Sequence, residues 1–468
     1  MSASEVLRLD GHVVDSLVLA KVLDLVVDSG ATYRILEMEI GTTRRDPSHV
    51  RIEVTASSEE SLEALFASLH VHGANREDAA DALLVPAERD GVLPEGFYAT
   101  TNLPTRVRLG GRWTSVESPE MDCAVVVEPD SEGAAASART VPMHRVRRGD
   151  MVVVGSGGVR VDRPTPRGYG AGAGAGAGND EDEDEDGDEG ELGSLTGGGS
   201  FGFMTSDVSS EKPKALSVER VAGALRSARS RREHRSGRQE DRSAGGGPDR
   251  GADRGADRVL VVAGPAVVHT GAAPALAGLV RDGWVQVLFA GNGFATHDVE
   301  SAVLGTSLGV PLAGGRPAEQ GHANHLRVIN ELRRYGSIEA AVQAGWLASG
   351  VLYECVKAGV PFVLAGSIRD DGPIPDVVTD TLQAADAMRE QVAGVGVAIM
   401  LASTLHAIAT GNLLPAGVET FCVDINQAVV TKLADRGSHQ AMGIVTDVGL
   451  FVSELAAAVG ALPVPSPT

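Results

Sequence analysis

From Val259 onward the chain alternates short apolar runs with helical segments of roughly 10–15 residues, a pattern that predicts a parallel, doubly wound sheet. Several runs are almost continuously apolar, as expected of strands that helices cover on both faces. This alternation constrains the fold more than any other feature, and it predicts a Rossmann-like domain over residues 259–462. The candidate strands are residues 259–263, 284–290, 361–365, 395–402 and 420–423.

The N-terminal part has a different pattern. Strand character over residues 7–14, 33–40, 49–56 and 82–87 alternates with helical periodicity over 16–27 and from Ser57 to about residue 69. The order β-α-β-β-α-β is that of a ferredoxin-like α+β domain, which we assign to residues 1–95. Because such units often form subunit contacts, we expect a homo-oligomer.

Strand signals continue over residues 96–101, 105–109, 123–128 and 150–161, and they predict a small β-rich connecting subdomain over 96–166 plus 201–215. Residues 155–160, GSGGVR, begin like a dinucleotide-binding GxGxxG loop but carry Arg160 where the third glycine belongs. We therefore interpret them as a turn between two strands.

Two segments have compositions that are unsuited to a packed core. Residues 167–200 combine Gly/Ala repeats with an acidic run, and we predict a disordered insertion. Residues 216–258 contain an Arg-rich helix candidate over 219–235, followed by a flexible linker. The helix could contact nucleic acid, but neutralising the nearby acidic run is the simpler interpretation.

The net charge of −22 includes ten acidic residues within 180–191, so the rest of the chain carries −22 + 10 = −12. This balance argues against nonspecific nucleic-acid binding. The three cysteines show no metal-ligand spacing, and we expect buried thiols, no metal and a cytoplasmic protein. No signal-peptide pattern or apolar run of membrane-spanning length occurs, so we expect no membrane partner.

Polar residues follow every strand of the predicted parallel sheet. Because the carboxyl ends of parallel strands meet at one edge, where such sheets bind ligands, these loops converge on a candidate site. They are residues 264–271, 291–298, 366–372, 403–406 and 424–426.

Asp424 and the glycines of the second loop favour a dinucleotide. An acid at the end of a strand can accept the hydroxyl hydrogens of an adenosine ribose, which is typical of NAD binding. The alternative is that Asp424 caps the helix starting near Gln427, and the sequence does not decide between these roles. Gly291 and Gly293 would let the backbone approach a pyrophosphate at a helix N-terminus.

Several long motifs resemble the archaeal-type ornithine cyclodeaminases, whose module also forms the C-terminal part of bifunctional arginine dihydrolase/ornithine cyclodeaminases. Residues 8–100 resemble the region that this family shares with lysine-ketoglutarate reductase/saccharopine dehydrogenase (LOR/SDH). The arginine-hydrolysing domain of the bifunctional relatives has no counterpart, so arginine dihydrolase activity is not expected. The motifs are GPAVVHTG, LFAGNGFATHDVESAVLGTSLGV, AGSIRDDGPIPDV, MLASTLHAIATGN and VDINQAVVTKLADRGS.

The resemblance implies NAD at the sheet edge and conversion of L-ornithine to L-proline and ammonia by internal hydride transfer. Gly293 replaces a more usual alanine, which a backbone contact would tolerate. We predict catalytic roles for His297, Asp298 and Asp370, with Arg369 binding the substrate carboxylate. The implied cofactor contacts are Asn292, Gly293, Asp371, Ser403, Thr404, Leu405, His406, Asp424 and, as a weaker match, Asp447.

The sequence is also compatible with two other functions. A deoxyhypusine-synthase-like transferase would share the NAD site but needs a catalytic lysine, and no lysine of this chain lies in a matching motif. A non-catalytic amino-acid-sensing regulator would keep the cofactor site without turnover. The sequence leaves open the substrate preference among diamino acids.

Overall fold

The computed structural model describes residues 2–11, 13, 18–41, 46, 48–70, 72–77, 80–128, 136–162, 215–242, 257–311, 321–370, 372–429 and 441–464. The predicted insertion over 167–200, residues 201–214 and residues 243–256 of the predicted linker lie outside these ranges. None of the helices within the described ranges combines the length and the apolarity that a bilayer crossing requires.

The N-terminal unit is a four-stranded antiparallel sheet with the strand order β2-β3-β1-β4, the order of a ferredoxin-like domain. Residues of β3 alternate between buried and half-buried, because one face of the sheet packs against α1 and α2. The elements are β1 Ala3–Gly11, α1 Val18–Asp28, β2 Thr32–Glu39, β3 Ser48–Ala56, α2 Glu59–His70 and β4 Asn75–Arg76.

The fourth strand of this sheet differs from the prediction. The sheet is completed by the two-residue β4, whereas the strand predicted over 82–87 is β5 Leu83–Pro86 and pairs with β10 Met151–Val154 in a second sheet. An apolar run indicates that a strand is buried but not which sheet it joins. The assignment of this strand to the ferredoxin-like sheet was therefore wrong.

The second sheet has seven strands in the order β11-β6-β7-β9-β8-β10-β5. The predicted strand over 96–101 is wrong, because Phe97 forms only an isolated bridge with Val154. The interpretation of residues 155–158 as a turn is confirmed, because they connect β10 to β11. The remaining strands are β6 Thr105–Leu109, β7 Arg112–Glu117, β8 Ala124–Glu128, β9 Ser137–Val141 and β11 Val159–Val161, and a short 3-10 helix spans Met143–Arg145.

The third sheet has seven strands in the order β17-β16-β13-β12-β18-β19-β20, and all of its strand pairs are parallel. The chain builds outward from β12 on one side, then returns to build β18, β19 and β20 on the other. The point where the order reverses therefore lies between β12 and β18, confirming the predicted doubly wound class. The strands are β12 Arg258–Ala263, β13 Val287–Gly291, β16 Phe362–Ala365, β17 Val377–Val378, β18 Val395–Leu401, β19 Glu419–Asp424 and β20 Ala441–Val445.

Helices cover both faces of this sheet. A short hairpin, β14 Thr306–Ser307 and β15 Val310–Pro311, follows α6, and a 3-10 helix at Gly321–Ala323 precedes α7. The α-helices are α4 Ala266–His269, α5 Ala273–Arg281, α6 Asn292–Leu304, α7 Asn324–Tyr335, α8 Ile338–Gln343, α9 Val351–Ala358, α10 Thr381–Val392, α11 Thr404–Leu413 and α12 Val448–Val459.

The Arg-rich helix α3, Ala215–Arg242, is longer than predicted and packs against the third sheet. Its apolar residues join the core beneath β12 and β18. Arg232 donates to Asp257 O and Gln286 Oε1, and the guanidinium of Arg229 lies 4.5 Å from the ring centroid of Trp284. These arginines therefore anchor the helix to the sheet.

Candidate active site

The ends of β12 and β18 touch each other at the reversal point of the sheet. Gly264 N donates to Leu401 O at 2.9 Å, and a Cβ on Gly264 would lie 1.9 Å from Ala402 O. Only glycine fits at this crossing. Ala402 has a φ of 44°, a left-handed conformation that is costly for a residue with a Cβ. A close and strained crossing of this kind is typical of a ligand site at a switch point.

Two helices begin at this edge with open N-termini. α6 starts after Gly291 and α11 after Ser403, and neither capping residue makes a side-chain hydrogen bond to the first turn. The first N–H groups of an α-helix have no partner within the helix, and with the helix dipole they favour an anion. These two helix ends can hold a pyrophosphate.

His406 packs across the strand ends rather than away from them. A Cβ on Gly291 would lie 2.8 Å from His406 Cε1, and His406 Nε2 lies 3.3 Å from Ala365 O. Burial lowers the pKa of His406, so the ring is neutral at pH 7. Of the predicted contacts, Ser403 thus lies at the N-cap of α11, and Thr404, Leu405 and His406 form its first turn, with Thr404 and Leu405 exposed.

Asn292 and Gly293 open α6 and contact neighbouring loops. Asn292 is buried, and its Oδ1 accepts a hydrogen bond of 3.0 Å from Ile374 N, tying α6 to the loop after β16. A Cβ on Gly293 would lie 3.3 Å from Pro265 Cγ, so the loop after β12 packs on this turn. The structure therefore places both residues at the predicted edge.

The loop after β16 is held by its own polar residues. Asp370 Oδ2 accepts from Ser367 N at 2.8 Å, and its Oδ1 accepts from Ser367 Oγ at 3.2 Å. Arg369 is exposed, with its backbone N–H donating to Ser367 Oγ. Asp371 lies outside the described residues.

Asp424 is the last residue of β19 and Asp447 lies two residues after the end of β20, and the two carboxylates differ in their contacts. Asp447 caps α12, because its Oδ1 accepts from Leu450 N at 2.9 Å. Asp424 Oδ1 accepts from Asn426 N, and Asn426 in turn accepts from Ala428 N. The capping side chain after β19 is thus Asn426. Burial raises the pKa of Asp424, and its role in binding a ribose stays a prediction.

Asp298 caps a helix that is distant in sequence. Its side chain is fully buried, and its two oxygens accept from Val351 N and Leu352 N, each at 2.9 Å, at the start of α9. Burial raises the pKa of Asp298 to about 6, although both hydrogen bonds act in the opposite direction. The contacts indicate a structural role for Asp298, while its catalytic assignment stays a prediction.

His297 belongs to a buried polar network on α6. Its Nδ1 lies 2.9 Å from Oε2 of Glu300, whose other oxygen accepts from Thr306 Oγ1 and Gly309 N. Burial alone would raise the pKa of Glu300, yet these hydrogen bonds hold it below its ordinary value. Glu300 is therefore ionised at neutral pH, and it orients the His297 ring with the proton on Nδ1.

His269, at the end of α4, completes this network. Its ring centroid lies 4.8 Å from that of His297, and its Nδ1 lies 2.6 Å from Ser307 Oγ. Burial and the neighbouring His297 lower the pKa of His269 to about 4, so it is uncharged at pH 7.

Glu300 and His269 were not among the predicted site residues. Glu300 could have been found, because residues three apart lie on the same face of a helix. The contact between the His269 and His297 rings depends on the packing of α4 against α6, which no local pattern encodes.

A doubly wound sheet with two open helix N-termini at its carboxyl edge, one of them after a strand of the switch point, and an acid at the end of β19 defines a Rossmann-type dinucleotide-binding protein. Comparison of the sequence with models of known protein families agrees with this class. Residues 250–455 match the family described as "Arginine dihydrolase ArgZ-like, C-terminal, Rossmann fold". Residues 104–171 match the first region of the same C-terminal part, and residues 4–103 match the "LOR/SDH bifunctional enzyme conserved region".

The chain belongs to the ornithine cyclodeaminase family. It is 46% identical over 450 residues to the ornithine cyclodeaminase of Methanocaldococcus jannaschii, covering 96% of this chain and 94% of that protein. It is 39% identical to the bifunctional arginine dihydrolase/ornithine cyclodeaminase AgrE of Nostoc sp., of which it spans 57%. A crystal structure of AgrE in ternary complex with ornithine and NAD+ aligns with a TM-score of 0.75 at 38% identity, covering 98% of this chain and 58% of that chain.

Proposed function

We propose that this protein is an NAD-dependent ornithine cyclodeaminase that converts L-ornithine to L-proline and ammonia. The observation that carries the proposal is the buried Glu300–His297 pair, a base with a fixed tautomer on the helix that opens at the sheet edge. Relatives named for this reaction, and the AgrE complex with ornithine and NAD+, support the choice of substrate and cofactor.

The strand-end residues fit NAD. The open N-termini of α6 and α11 would hold the pyrophosphate, and Asp424 would accept the hydroxyl hydrogens of the adenosine ribose. Gly264 allows the ends of β12 and β18 to approach each other closely beneath the proposed cofactor. When bound, NAD supplies a hydride acceptor for the substrate Cα and returns that hydride within the same turnover.

His297 is the base in this proposal. Because Glu300 accepts a hydrogen bond from Nδ1, Nε2 carries the lone pair and can take a proton from the α-ammonium group of ornithine. The neutral α-amine that results is the form from which hydride loss is easy. His269, held neutral by burial, adds no charge that would oppose protonation of His297.

The loop after β16 binds the substrate in this scheme. Arg369, exposed at its tip, would bind the substrate carboxylate through its two-pronged guanidinium, and Asp370 would attract the δ-ammonium group. Once hydride loss has made Cα an imine carbon, the δ-amine would attack it and the α-nitrogen would leave as ammonia. The cyclic imine that results would be reduced to proline by return of the hydride. We assign Asp298 to the support of α9, because both of its oxygens are occupied there.

Isotope labelling tests the proposal directly. Purified protein with NAD and L-ornithine labelled with 15N at the α-amine and deuterium at Cα should release labelled ammonia and unlabelled-nitrogen proline that keeps the deuterium. Proline that retains the 15N would contradict the assigned nitrogen, and NAD binding without proline formation would indicate a regulator. A borohydride-trapped adduct with spermidine and NAD would indicate a transferase instead.

A further inference from the structure

Strand β2 forms an open apolar edge of the N-terminal sheet. It lies at the end of the strand order, and all eight of its residues are exposed. Edge strands are usually protected by charge, proline or a covering element, because an open edge can recruit another strand. β2 carries charged residues, but it also exposes between 39% and 41% of each of Tyr33, Ile35, Leu36 and Met38.

The apolar surface continues beyond the strand. Ile40 is 57% exposed just after β2, and Val27 is 60% exposed on α1, which packs beside β2. Contiguous exposed apolar residues of this kind indicate an interaction site. We call the surface formed by Val27, Tyr33, Ile35, Leu36, Met38 and Ile40 the β2 patch.

Because of a bulge, the order of apolar and charged residues along β2 is symmetric about the middle of the strand. The pairing with β3 shifts between Ile35 and Glu37, so Leu36 is an extra residue at the middle of the strand. Residues directly opposite each other in a sheet share a face. Tyr33 and Met38 therefore both lie on the helix-covered face, opposite the buried residues Val54 and Val50.

The charged residues follow the same symmetry on the other face. Arg34 lies 2.8 Å from Glu53 of β3, and Glu37 lies 3.2 Å from Arg51 of β3. Arg34 and Glu37 are equally distant from the midpoint of β2 and opposite in charge. A strand with this arrangement is complementary to itself in antiparallel orientation.

We propose that β2 pairs antiparallel with β2 of a second copy of this chain, across a two-fold axis between Ile35 and Leu36. Each Arg34 then lies opposite Glu37 of the other copy, giving a row of alternating charge, Glu53–Arg34–Glu37–Arg51, across four strands. Tyr33 lies opposite Met38 on the helix-covered face. An interface between two identical copies across a two-fold axis requires this self-complementarity, whereas binding of an unrelated partner would not require it.

Sedimentation velocity of the full-length protein tests the interface. The protein should form a dimer whose dissociation constant rises at least about tenfold in Met38→Lys, a loss of about 1.4 kcal/mol of association free energy. Leu382→Lys is the matched control, because Leu382 is 76% exposed on α10 and distant from the β2 patch. A monomer at all concentrations, or a dimer that Met38→Lys leaves unchanged, would refute the proposal.

A cysteine pair tests the orientation independently of affinity. Thr32 and Glu39 lie opposite each other in the proposed pairing, where a Cα separation near 5 Å would allow a disulfide. Within one strand they are about 23 Å apart, at about 3.3 Å per residue. Under oxidising conditions Thr32→Cys/Glu39→Cys should form a covalent dimer, and Thr32→Cys alone should not. The three native cysteines are buried. No cross-link from the double variant, or equal cross-linking from the single one, would contradict the antiparallel register.

Discussion

Nδ1 of His297 lies 2.9 Å from Oε2 of Glu300, and the two side chains differ in their access to solvent. The side chain of Glu300 is fully buried, whereas His297 keeps 12% of its side chain exposed. Glu300 is thus placed to fix the ring and its tautomer, and His297 is placed to exchange a proton with a bound molecule.

His297→Gln should lower kcat/KM by about 10²–10⁴-fold, the usual contribution of a positioned base. Glu300→Gln should lower it about tenfold or more, because the ring loses its orienting charge. Since both residues serve one proton transfer, the double variant should be little worse than His297→Gln. Steady-state kinetics with L-ornithine measures all three.

A purely structural role for Glu300 would give a different result. Glu300→Gln would then lower the melting temperature without shifting the acidic limb of the pH profile of kcat/KM, whereas an orienting role requires that shift. Glu390→Gln, at an exposed position on α10, is the matched control and should change neither quantity.

Asp298→Asn should weaken the fold more than the chemistry. An asparagine can accept only one of the two hydrogen bonds from α9, and its NH2 group would face the other N–H. The free energy of unfolding should fall by about 1–3 kcal/mol, as for an unsatisfied buried donor. Urea unfolding and kcat are measured together. Unchanged stability with a loss of turnover would support the catalytic assignment instead.

The parallel sheet was readable from the sequence because fully buried strands leave long apolar runs. The two-residue β17 and the glycine-containing β20 leave no such run and were missed. Convergence of the polar loops followed from the carboxyl-edge rule alone. The role of Asp298 could not be predicted in this way, because its partner Val351 is 53 positions away and a cap on a distant helix has no local signature.

Asp424 and Asp447 offer a matched pair for the cofactor site. Both are 8% exposed and lie at the carboxyl ends of neighbouring strands, but Asp447 caps α12. Asp424→Ala should raise the Kd for NAD about tenfold or more, since a hydrogen bond to a charged group contributes about 1.5–3 kcal/mol. Asp447→Ala should cost about 1 kcal/mol of stability and leave that Kd unchanged. Calorimetric titration with NAD separates the two, and equal effects on Kd would overturn the assignment.

His70 should make the contact between the first two sheets sensitive to acid. Its ring is buried between Phe66 and Tyr98, and burial lowers its pKa to about 4. The unfolded state binds a proton below about pH 6.5 whereas the folded state does not, so the free energy of unfolding falls as the pH drops from about 6.5 towards 4. Between pH 7 and pH 5 this contribution is about 2 kcal/mol. In His70→Leu the urea midpoint should fall correspondingly less over that interval than in the unmodified protein. Because His269 and Asp298 titrate equally in both proteins, the difference isolates His70, and identical pH dependence would contradict its buried, uncharged state.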